Sequence, residues 1–376
     1  MTLLKIIEQG IGTLLIALVL LDVFLTVLYA RVETGIISTR VARGTWLAVR
    51  ALAKTMPSRR GKVLSFAGPI ILVMLVLVWG IGLSLGSAFI LHPHMATGIK
   101  ASNGPTGRDF ISALFAGASS ISIVGAGSFE PKSGGFRLFY LFNSLVGMSV
   151  ISLTLTYLMQ IYSALRIRNS KALSLDIGTG RTGDAGQFVA GLGPQGHFDA
   201  GYTTLTNLAE SITSTKESHH FYPVLFYFRF EESYYSVSRF ANTALDAMTI
   251  IKTALDHQQY RWLIQSGAVK DTWNASLLLL TTLEDAFIPG DLPERAAPDA
   301  QTRSLWRNRF FHAATRLRSA GITLTADLDS AAERYISMRS EWNSHIRNLA
   351  PSMLYSLEEI DPALFMPQTE EHQRAA

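Results

Sequence analysis

Ser119-Ser120-Ile121-Ser122-Ile123-Val124-Gly125-Ala126-Gly127-Ser128-Phe129-Glu130-Pro131 is a glycine-bearing loop set between two segments long and apolar enough to span a membrane. A hydrocarbon core leaves no water for irregular backbone. A Gly-x-Gly loop at membrane depth is therefore tolerated only where it is buried in protein or lines an aqueous path. Val124-Gly125-Ala126-Gly127 fits the second case.

Composition agrees. The chain has no cysteine, which removes disulfides and zinc-thiolate sites, and it is 48% hydrophobic against 16% charged. The apolar excess lies in the N-terminal part, with spans expected at 11–30, 67–91 and 138–165, each at or above the roughly 20 residues that cross about 30 Å. The run after Lys5 is too long for a signal-peptide core and Leu28-Tyr29-Ala30 is a poor cleavage site, so residues 1–30 are read as a retained N-terminal span.

Loop charge sets an expected orientation. The 31–66 linker carries Arg31, Arg40, Arg43, Arg50, Lys54, Arg59, Arg60 and Lys62 against Glu33, and Arg166, Arg168 and Lys171 follow the third span. Both flanks are expected in the cytoplasm, leaving the N-terminus and the 92–137 segment outside, in an inner or plasma membrane. The linker is read as a basic amphipathic helix on anionic inner-leaflet lipid, anchored by Trp46. Arginine does not recur at every third residue along it, and Gly35, Gly44 and Pro57 interrupt it, which speaks against a voltage sensor.

Residues 109–120 are apolar at helical spacing but too short to span. They are expected to form a re-entrant helix capped by Thr106 or Asp109, with its C-terminal carbonyl dipole aimed inward. On the third span Ser149, Ser152, Thr156 and Gln160 recur on one helical face, a stripe best explained by water and otherwise by a helix neighbour. Asp22 is expected to be satisfied by an interhelical contact, to Thr26 or a serine of the second span, with a gating or ion-path acid as the alternative, and Gly80, Gly82, Ser84, Gly86 and Ser87 to form a packing strip.

This ordered set of span, short helix, Gly-x-Gly, proline and spaced glycine over roughly 67–165 resembles the potassium-channel pore family. The resemblance places its filter on Ser122, Ile123, Val124, Gly125, Ala126, Gly127 and Ser128. The proline after the filter falls on Pro131 and the gating-hinge glycine on Gly147. It implies a pore domain at 67–166, with outer helix 67–92, pore helix 109–120, filter 122–128 and inner helix 137–166. The implied permeant ion is potassium, held by the carbonyls of Val124, Gly125 and Ala126, with Ser149, Ser152, Thr156 and Gln160 lining the path below. Ile123 stands where the family has threonine, Ala126 where it has a bracing tyrosine, and Ser128 where it has aspartate, so weak selectivity is expected. One loop per chain cannot close a ring of carbonyls, which implies a homotetramer.

Beyond Lys171, Gly178-Thr179-Gly180-Arg181-Thr182-Gly183 matches a Gly-x-Gly-x-x-Gly pattern without a convincing strand before it, and 167–200 is read as a glycine-rich linker. A mainly helical cytoplasmic domain is expected over 201–362, with a disordered tail at 363–376. Its longest helix, 325–350, carries a seam of Leu328, Tyr335, Trp342 and Leu349 read as packing within the subunit, with pairing across the tetramer as the alternative. The aromatic run 221–230 is either domain core or a surface under the membrane, and His219 and His220 are expected to face solvent. No catalytic constellation, cofactor motif or nucleic-acid patch stands out. The expectation is an all-α membrane protein, not an enzyme, acting as a tetrameric cation channel gated by its cytoplasmic domain, with the gating stimulus and any cytoplasmic ligand left open. The alternatives are a non-conducting receptor or scaffold with the same architecture, and a nucleotide-regulated channel.

Overall fold

The computed structural model describes residues 2–29, 35–122, 127–288 and 297–365. The described chain is mostly helical, with one two-stranded sheet. It runs α1 (Thr2–Val23, continued by a π-helical turn Phe24–Leu28), α2 (Ser38–Thr55), α3 (Arg60–Ser65), α4 (Ala67–Leu91), β1 (Ile99–Ala101), α5 (Phe110–Ile121), β2 (Phe129–Pro131) and α6 (Gly134–Gly178). It continues as α7 (Ala185–Leu192), α8 (Asp199–Phe221), α9 (Val237–Ala254), α10 (Arg261–Ile264), α11 (Gly267–Phe287), α12 (Ala300–Ser319), α13 (Leu328–Ser352) and α14 (Leu357–Ile360). Three of these stretches, Leu3–Leu28, Ala67–His94 and Gly134–Gly178, are long and apolar enough to cross a bilayer, which makes this a membrane protein.

The chain divides into two compact units. The first comprises Met1–Ser58, Phe66–Ser163 and Phe221–Val224; the second comprises Arg59–Ser65, Ala164–His220 and Leu225–Ala376. In the first, α4 is the central element, packed against α1, α2 and α5. Part of the small-residue strip works as read. A Cβ on Gly12 would sit 2.5 Å from the Gly86 carbonyl oxygen and one on Gly86 2.6 Å from Ile16, so α1 and α4 meet backbone to backbone. Ile16, Val19, Val23, Trp79 and Leu83 form the core at this contact. Gly80, by contrast, faces open space.

The 31–66 linker departs from the surface-helix reading. Ser38, Ala42, Trp46, Val49 and Ala53, spaced by three and four, are the buried stripe of α2, and α2 packs on α4. Trp46 is thus spent on protein rather than on lipid, while Arg40, Arg43 and Lys54 stay exposed.

In the second unit α9 is buried over nearly its whole length and packs against α7, α11 and α13. Tyr335, Trp342 and Leu349 of the α13 seam are buried within the same chain. The expected linker at 167–200 is instead structured. Helix α6 extends to Gly178, and α7 buries Ala185, Phe188, Val189 and Leu192 against α9 and α12. Glycine here reflects close packing, since a Cβ on Gly186 would strike Ala313. Of the tail expected at 363–376, residues 363–364 continue a 3-10 turn begun at Pro362, Phe365 caps it, and the remainder lies outside the described residues.

Candidate functional site

Helix α5 is 12 residues long and is capped by Asp109, whose carboxylate accepts the Ser112 N–H at 3.0 Å and the Ser112 hydroxyl at 2.8 Å. Thr106, the other cap candidate, accepts from the Ala101 N–H instead. Ala113, Ala116, Gly117 and Ser120 are its buried face. It ends at Ser122, whose backbone is extended with φ −65° and ψ 136°. Ile123, Val124, Gly125 and Ala126 lie outside the described residues. At the far side the Ser102 hydroxyl donates to the Gly127 carbonyl, and the Ser102 N–H donates to the Ser128 carbonyl at 2.9 Å. Strand β2 follows at once, antiparallel to β1 with Ile99 opposite Pro131. Both ends of the loop are therefore pinned. The exit is held by backbone pairing.

Behind the loop entrance lies an arrangement that sequence reading missed. Asn143 of α6 is 2% exposed, and its amide donates to the Ser87 hydroxyl of α4 at 3.0 Å and to the Ser120 hydroxyl of α5 at 2.8 Å. Ser120 in turn donates to the Gly117 carbonyl at 2.7 Å. One turn further along α6, Gly147 faces Ile121, and any Cβ there would fall inside the contact radius of the Ile121 carbonyl oxygen. The helix is continuous through this point, and close approach to Ile121 accounts for a glycine here. The available signal was the lone asparagine of the third span, four residues before Gly147. It escaped notice because it lies off the hydroxyl stripe.

That stripe is opposite the buried face. Asn143, Gly147, Thr154, Tyr157 and Ile161 are buried, whereas Ser149, Ser152, Thr156 and Gln160 are all exposed. Thr156 donates to the Ser152 carbonyl at 3.0 Å, which covers its polarity within the helix.

Asp22 is fully buried and collects four donors: the Ile37 N–H at 2.7 Å, the Ser38 N–H at 3.2 Å, the Ser38 hydroxyl, and the Trp79 indole N–H at 2.8 Å. It fastens the start of α2 to α1 and α4. The interhelical contact foreseen for it is real, but through Trp79 and Ser38; Thr26 meets Ser38 at 2.8 Å.

In the second unit a chain of buried charges crosses the helices. Asp246 of α9 accepts from Arg309 at 2.9 Å, from Arg339 at 2.8 Å and from the Tyr335 hydroxyl at 2.5 Å. Arg309 also reaches Asp184 at 2.7 Å, Arg339 reaches Asp361, and Arg239 reaches Asp176 at 2.7 Å. Burial alone would raise the Asp184 pKa, but Arg309 and then Arg316 overcome it and hold it below the ordinary value. The Gly178–Gly183 segment follows a helix rather than a strand. Gly180, Arg181 and Gly183 have positive φ and form the turn into α7, which Asp184 caps. The dinucleotide context is absent there. No protein-family model, curated protein or solved structure matches this chain.

Proposed function

We propose that the protein is a homotetrameric cation channel of the inner or plasma membrane, potassium-like and weakly selective, with its N-terminus outside and its helical C-terminal unit in the cytoplasm as the gate. In this reading α5 is the re-entrant pore helix, 122–128 the filter, and α6 the inner helix. The observation that carries it is the clamping of α5: a helix too short to span ends, between α4 and α6, in an extended residue that opens a glycine-bearing loop tied again at Gly127. The carbonyls of Val124, Gly125 and Ala126 would hold the permeant potassium ion, and the exposed stripe of Ser149, Ser152, Thr156 and Gln160 would face the conduction path. The exposed basic face of α2 would meet anionic lipid.

Potassium flux from proteoliposomes tests this. Wild-type protein is expected to conduct, and Gly125→Ala to abolish flux while the tetramer persists, because a side chain on the loop displaces carbonyl ligands. An assembled wild-type tetramer without flux would favour the non-conducting receptor.

A further inference from the structure

The second unit contains a small cavity whose lining is not explained by packing. Arg168 of α6 is 4% exposed; it donates from Nη1 to the Leu225 carbonyl and from Nη2 to the Phe228 carbonyl, both at 3.0 Å, and weakly from Nε to Asn169 at 3.4 Å. All three acceptors are neutral. Every other buried arginine of this unit has a carboxylate: Arg239 has Asp176, Arg309 has Asp184 and Asp246, Arg339 has Asp246 and Asp361, and Arg229 has Glu359 at 3.8 Å. Among the described residues none pairs with Arg168. A guanidinium does not shed its charge in a protein, and a buried charge is ordinarily compensated.

His219 lines the same cavity. It is 1% exposed, and among the described residues neither ring nitrogen has a hydrogen-bond partner. Burial, and then the positive charge of Arg168, hold its pKa well below the ordinary value, so the ring is neutral and has one N–H to give. Tyr235, Ser236, Ser238 and Tyr355 complete the polar part of the wall, and the cavity measures about 20 Å³. That is room for a single body of water size or slightly more. Water would satisfy the imidazole but would leave the guanidinium uncompensated.

We propose that this cavity binds a small monovalent anion, with chloride as the physiological class, held between the Arg168 guanidinium and the His219 N–H. Sulfate and phosphate are too large for it. The site joins α6 to the end of α8, and it stands independently of whether the protein conducts.

Thermal unfolding of the purified full chain in detergent is the test, with gluconate replaced stepwise by chloride at constant ionic strength. The midpoint is expected to rise with chloride and with bromide, climbing with the logarithm of concentration once the site fills, and to be unmoved by sulfate. His219→Phe, which fills the cavity, and Arg168→Met, which removes the charge on a stem of similar length, should each abolish the chloride dependence. If both variants fail to fold, the chloride NMR resonance decides on wild-type protein. Excess line broadening that bromide displaces supports the site, and its absence overturns it. An equal response to sulfate and chloride, or a chloride response that survives both substitutions, would assign the cavity to water alone.

Discussion

Asn143 and Gly147 act on consecutive turns of one face, the first by hydrogen bonds and the second by having no side chain. Alanine at 147 should gain about 1 kcal/mol from helix propensity. Forcing a methyl against the Ile121 carbonyl should cost about 1–3 kcal/mol as an overpacked contact. A net fall in the unfolding midpoint of Gly147→Ala is therefore expected, and a rise would show that α5 yields freely. Asn143→Leu keeps the volume but strips the Ser87 hydroxyl of its donor, for an expected loss of about 1–3 kcal/mol. Adding Ser87→Ala to that variant should recover part of it, because it removes one of the two buried hydroxyls left without the Asn143 donor, Ser120 being the other. Denaturant titration of the single and double variants measures the difference.

Among the elements, α9 is the one on which the second unit depends. Its Asp246 faces two guanidiniums buried to within a few per cent, so Asp246→Leu leaves Arg309 and Arg339 short of a counter-charge. The expected loss is about 3–5 kcal/mol, which calorimetry of the full chain should show as early melting of this unit. Asp184 gives the pH dependence. Its folded pKa lies below the ordinary 3.8, so its pairing with Arg309 and Arg316 stabilises fully above that value and fades as pH falls through the folded value. Asp184→Asn is expected to lower stability at neutral pH and to flatten the acid limb of the stability curve. An unchanged limb would mean that other carboxylates set it.

For the whole molecule, the face opposite the α6 packing seam is the quantity to measure. The chain has no cysteine, so Ser152→Cys and Thr156→Cys report without background. Both are expected to react with membrane-impermeant thiol reagents added from the side that holds the C-terminus, and to be protected by a blocking cation. Protection that no cation alters would place the stripe against a neighbouring helix. Cross-linking of the detergent-solubilised protein should trap species up to four chains, and a ladder ending at two would exclude a closed ring of loops.

The three spans, the short capped helix and the long helices of the second unit were legible in the sequence, because each is written as a continuous hydrophobic run or a period of three to four residues. Asp109, the Gly86 approach and the α13 seam were legible for the same local reason. Glycine misled at 167–200: Gly186 reads as a breaker until Ala313 is seen to need its space. Trp46 misled likewise, since a tryptophan on a basic helix looks the same whether it meets lipid or α4. Only the tertiary structure could join Asn143 to Ser87 and Ser120, Asp22 to Trp79 and Ser38, or Asp246 to Arg309 and Arg339, because these partners lie 16 to 93 positions apart in the chain. A solitary polar residue in an apolar segment announces that it must be satisfied; which donor or acceptor satisfies it is set by helix packing, which no local pattern encodes. His219 beside His220 reads as solvent-facing from sequence, and the cavity it shares with Arg168 shows the opposite. Burial of a single side chain is a property of the folded chain and not of the residues beside it.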